Sequence, residues 1–172
     1  PGGYQLSSLN TKLKTLQDDR ANDEIFKNSI DNMKYKVGGG NKPLKYFIMT
    51  LEHFRRWYEG GSVGVPSCID KTRVYDFAST TIEHIYPRNA TGTTIDQTME
   101  PIKNTLCNLT FLGPIDNTTG GNDNFSLKKP IFLGSSVKLN QLIGTNTNCT
   151  SIEAGLWKTE LKEMACKVFR LI

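Results

Sequence analysis

The chain has 172 residues, 37% of them hydrophobic, and carries 21 basic against 17 acidic side chains for a net charge of +4. That length holds one domain with a real core, and so small a charge permits a nucleic-acid partner without demanding one. No signal peptide and no long apolar run stand in the sequence, so a cytoplasmic setting with no membrane contact is expected. The sequence opens on Pro1-Gly2-Gly3, as a piece cut from a longer protein would.

In chain order, Leu6, Leu9, Leu13 and Leu16 fall on one face of a first helix over residues 4–17. Asp23 is the expected cap of a second helix bearing Ile25, Phe26, Ile30 and Met33, with Gly38-Gly39-Gly40 as its stop. Pro43 starts a third, in which Leu44, Phe47, Ile48, Leu51, Phe54 and Tyr58 recur at three- and four-residue steps up to Gly60-Gly61. His53 falls on the polar flank of that helix and reads as a surface histidine.

Beyond Gly61 the composition turns to strands. Residues 67–70 and 74–85 read as extended, with a bend at Ala78-Ser79, and residues 106–112 as a short apolar strand. Between them lies a polar segment, 88–104, longer than most connecting loops and therefore functional or disordered. A turn-rich tract covers 116–124, and Phe125–Phe132 follows with the basic pair Lys128-Lys129. Thr150-Ser-Ile-Glu153 fits a capping box for a last helix, striped with Leu156, Trp157, Leu161, Met164, Val168 and Leu171. The four cysteines are far apart and show no C-x-x-C pairing, which argues against a four-thiolate zinc site and for reduced thiols, with Cys68 and Cys107 in apolar surroundings.

The chemistry concentrates at Thr80–Arg88. A β-branched run ends in Glu83, His84 and then Pro87, whose missing N–H closes the ladder. A carboxylate able to hold a divalent cation thus adjoins an imidazole able to take a proton from water. A strand-end histidine beside a solvated acid is the plainer reading of the same residues. Asn108, opening Asn-Leu-Thr-Phe-Leu, and Asn117 follow in order, and strand, loop, strand and short helix is the layout of a ββα metal finger. Phosphodiester hydrolysis asks for such groups: a base for the water, and a cation that takes hard oxygen ligands and keeps its waters.

Ile82-Glu83-His84-Ile85-Tyr86-Pro87-Arg88, with Asn108-Leu-Thr-Phe-Leu-Gly113 and Asn117, resembles the HNH (His-Me finger) endonucleases. More narrowly it resembles the C-terminal nuclease domain of GmrSD-type modification-dependent restriction proteins and their SspE-like phage-defence relatives. The resemblance implies an α+β fold, a ββα-metal finger embedded in a mostly helical domain over residues 41–172. Residues 1–40 remain a helical lead-in or linker to an N-terminal domain.

Residue by residue, the resemblance implies that His84 is the general base and that Glu83 and Asn117 are ligands of Mg²⁺ or Mn²⁺. Asn108 would orient the imidazole through the nearby backbone, and Arg88, Lys128 and Lys129 would hold phosphates. Thr118-Thr119-Gly120-Gly121 is poor helix material, so Asn122 or Asn124 stays open as the ligand in place of Asn117. The implied partners are DNA and an N-terminal sensing or nucleotide-hydrolysing domain of the same longer chain, with a homodimer expected where both strands are cut. The implied activity is nicking or cutting of foreign or modified DNA. A finger that has lost activity and only binds nucleic acid is the competing expectation, and RNA as substrate a third.

Overall fold

The computed structural model describes residues 6–69, 76–113 and 122–169. Among these it is a mostly helical α+β fold with one two-stranded sheet. Helices α1 (Leu6–Arg20), α2 (Asp23–Asp31) and α3 (Lys42–Glu59) precede strands β1 (Thr81–His84) and β2 (Leu109–Leu112). Helices α4 (Phe125–Gly134), α5 (Lys138–Thr145) and α6 (Ser151–Val168) follow.

The core lies where α3, α5 and α6 pack on β2. Ile48, Leu51, Leu109, Phe111, Leu139, Leu161 and Met164 are all completely shielded from solvent. Leu44, Phe47, Ile48 and Leu51 of the α3 stripe are buried and Phe54 and Tyr58 half-buried, and two charged residues go inside with them. Glu52 accepts the N–H groups of Lys138 and Leu139 at 2.8 and 2.9 Å. A carboxylate from α3 thereby caps α5, whose own N-cap, Val137, has no side-chain acceptor to offer. Arg55 reaches across to Glu160 on α6 at 2.8 Å. Asn140 ties α5 to β2 by donating to the Phe111 carbonyl and accepting from the Thr110 hydroxyl. Gly144 sits where α5 crosses α4, and a Cβ there would meet the Leu133 backbone nitrogen at 2.8 Å.

Several boundaries differ from expectation. Asn22, not Asp23, caps α2 by accepting from Ile25 N–H, and the helix stops at Asp31, well before the glycines. The leucine face of α1 is formed but exposed, with no buried residue in the helix. Among the described residues of the expected strand over 74–85, only Thr81–His84 are extended in the sheet, because the Asp76 carboxylate accepts from the N–H groups of Ala78 and Ser79 and turns the chain. Residues 106–108 form a 3₁₀ turn before β2 rather than its first half. In α6 the Thr150–Glu153 capping box is present, and Trp157, Leu161, Met164 and Val168 are buried. Leu156 is exposed, one residue and so about 100° off that line. Leu171 lies outside the described residues, as do Asp70, Val74 and Asn117.

The 88–104 segment is ordered around Tyr86 and Met99. The Tyr86 hydroxyl donates to Glu100 at 2.8 Å and accepts from Asp96 N–H at 3.0 Å. Met99 is fully buried. No helix among the described residues is long and apolar enough to cross a membrane.

Candidate active site

β1 and β2 pair antiparallel with Glu83 opposite Thr110 and His84 opposite Leu109. The ladder ends there, and both Glu83 and His84 line one cavity of about 290 Å³. Tyr35, Ile82, Arg88, Asn89, Asn122 and Lys128 complete its wall.

His84 is 7% exposed, and its Nε2 lies 3.0 Å from Oδ1 of Asn104. The edge of the Tyr35 ring packs against the imidazole with centroids 4.8 Å apart. Burial, helped by the nearby Arg88, Lys128 and Lys103 cations against the Asn104 bond, pushes the imidazole down to about 4. It is therefore neutral at physiological pH, as a proton acceptor must be.

Asn108 holds the backbone just past the imidazole. Its Oδ1 accepts from Tyr86 N–H at 2.6 Å, and its Nδ2 donates to the Tyr86 and Lys103 carbonyls at 3.0 and 2.9 Å. Its own carbonyl accepts from Ile85 N–H. Asn108→Ala strands three backbone groups at a position with no solvent, so it is expected to cost roughly 2–4 kcal/mol of stability. Urea unfolding measures this, and a loss below about 1 kcal/mol would show that water replaces the amide.

Lys128, which the resemblance implies holds phosphate, lies inside the fold. It is 2% exposed, and its ammonium donates to Glu83 Oε1 at 2.5 Å and to the His84 carbonyl at 2.7 Å. Its place in the first turn of α4 aims it at the end of β1, where it neutralises the Glu83 carboxylate. Burial raises the pKa of Glu83 and outweighs the opposing pull of Lys128. Lys129, half-buried, does not line the cavity. Arg88 does line it, with Nη1 3.4 Å from the Tyr35 hydroxyl. Asn122 pairs reciprocally with the Asn89 backbone at 3.0 and 2.6 Å, and Asn124 is the N-cap of α4. Both thus have partners, though Asn122 still lines the cavity. His53 is exposed, and Cys107 is buried beside the Thr105 hydroxyl.

Among the described residues no three His, Cys, Asp or Glu side chains gather in a ready metal cluster. The donor chemistry at the cavity still fits a hard cation: Glu83 supplies a carboxylate, and the open volume leaves room for waters. Mg²⁺ is commonly held by one or two carboxylates and retains several waters.

Asn104 and Tyr35 are the site residues that local pattern missed. Nothing marks them in the sequence, because their partners lie 20 and more residues away.

A family model described as GmrSD restriction endonucleases, C-terminal domain, matches residues 20–161. The chain belongs to this family. No curated protein matches it. The GmrSD match takes in α2, which packs on α6 through Lys27–Glu163 at 2.6 Å and Asp31 with Lys158 and Lys162 at 3.0 and 2.8 Å. It also takes in both strands and the whole cavity wall, so the site described above lies inside the GmrSD C-terminal domain.

Proposed function

We propose that the chain is a His-Me finger nuclease that hydrolyses phosphodiester bonds in DNA, with His84 as its general base. The carrying observation is a neutral, buried imidazole opening on the same cavity as Glu83 and Arg88. β1, β2 and α4 come in the ββα order of such a finger.

His84 takes a proton from a water, whose oxygen attacks phosphorus. The P–O bond to the 3′ oxygen breaks, that oxygen is protonated by solvent, and 5′-phosphate and 3′-hydroxyl ends result. Arg88 offers a guanidinium fork to the non-bridging oxygens. Glu83 and Asn117 would hold a Mg²⁺-type cation, which supplies charge neutralisation at the phosphate and leaving oxygen. Asn108 and Lys128 keep the backbone that carries His84 in place. Within a restriction protein this domain is the effector, and choice of modified or foreign DNA falls to an N-terminal sensing domain of the same polypeptide.

Incubation with supercoiled plasmid tests the reading. Relaxed or linear product in Mg²⁺ or Mn²⁺, suppressed by EDTA, is the expected result. Plasmid left intact in every metal, yet bound with a salt-dependent affinity, would instead favour an inactive binding module. One observation favours that second reading: the Glu83 oxygen that a metal would use is engaged by the Lys128 ammonium.

A further inference from the structure

The carboxamide of Asn104 meets the side chain of His84. An amide oxygen can only accept, so at 3.0 Å its partner Nε2 carries the proton. A neutral imidazole has one N–H, which leaves the lone pair on Nδ1. Asn104 is not part of the cavity wall, whereas His84 is. The Nε2 edge is thus turned toward Asn104.

Two features make this hold firm. The Asn104 backbone is fixed independently of its side chain: its carbonyl accepts from Tyr35 N–H at 2.7 Å, and Lys34 bridges Thr105 next to it. The Tyr35 ring edge then braces the imidazole. One short excursion of chain, residues 34–35, thus secures both the acceptor and the ring.

Resting on the assignment of His84 as the base, we propose that Asn104 is a positioning residue that holds His84 in its Nε2–H tautomer and so presents Nδ1 to the attacking water. Nδ1 receives the water proton as the oxygen bonds to phosphorus. The resulting imidazolium keeps its Nε2–H on the Asn104 oxygen, which steadies the charge it has just acquired.

Asn104→Leu removes the acceptor at similar size, and Asn104→Asp keeps an oxygen at the same place. The chain has only two histidines, and exposed His53 provides the reference signal, so imidazole ¹⁵N and ¹³C spectra at neutral pH read the His84 tautomer directly. The expected wild-type signal is Nε2–H. Asn104→Leu should show mixed tautomers, with kcat for Mg²⁺-dependent plasmid cleavage down on the order of 10²-fold and KM changed less than about twofold. Asn104→Asp should restore the tautomer and most of kcat. A wild-type His84 protonated on Nδ1, or an Asn104→Leu chain retaining both tautomer and kcat, would overturn the proposal. A wild-type chain that leaves plasmid intact while the tautomer still responds to Asn104 would overturn the catalytic assignment of His84, and the spectra tell these failures apart.

Discussion

His84→Ala is expected to lower metal-dependent plasmid cleavage by about 10²–10⁴-fold, the range a positioned general base contributes. The loss should far exceed any effect on folding, since Asn108, not the imidazole, carries the hydrogen bonds that hold this turn. Far-UV circular dichroism and urea unfolding of the same sample separate the two effects. Cleavage at wild-type rate by folded His84→Ala would remove the proposed base. The same residue makes stability depend on pH. Burial holds the folded imidazole at about 4, below its ordinary value of 6.5, so the unfolded chain binds more protons between those values. The contribution is complete above pH 6.5 and falls as pH drops through about 4, amounting in total to about 3 kcal/mol. Urea midpoints measured at pH 7 and pH 4.5 without metal should show the fall in the wild type and a smaller one in His84→Gln. Equal falls in the two chains would mean that the imidazole is already charged in the fold.

Lys128→Met is expected to cost about 3–5 kcal/mol of stability, because it leaves the Glu83 carboxylate buried without its counter-charge. The His84 carbonyl loses its donor as well. Pairing the change with Glu83→Gln should recover much of the loss, since the doubly substituted site no longer buries a charge. Urea unfolding of the two single variants and the double variant forms a complete cycle, and strong coupling is the expected outcome. A surface lysine that only held phosphate would behave differently. Its loss would leave stability nearly unchanged and lower the salt slope of DNA binding by about one unit. Nearly additive single effects, with a reduced slope, would return Lys128 to that role.

The two outcomes bear on how the site is built. Lys128 reaches the end of β1 from a helix 45 residues further along. In the sequence it is one of two adjacent lysines, and a basic pair reads as solvated charge. Its burial follows from α4 packing across the strand end. Glu52 and Arg55 show the same thing on α3. Both are buried charges with distant partners, for one caps α5 and the other joins α6.

Local rules determined what depends on neighbouring residues: the start of α3 beside Pro43, the capping box before α6, the apolar stripes, and Glu83-His84 at the end of a strand. These follow from backbone geometry repeating every two or 3.6 residues, or from side chains bonding three positions away. The order Glu83-His84, Asn108, Asn117 was likewise legible as a resemblance, and the match to the GmrSD C-terminal domain places the chain in that family. Tertiary structure alone decided that Asn104 meets His84, that Tyr35 braces it, that Lys128 turns inward, and that the leucines of α1 stay exposed. Each of these depends on which surfaces come together, and a hydrogen bond or a buried charge between residues 20 to 50 positions apart leaves no periodic trace in the chain that makes it.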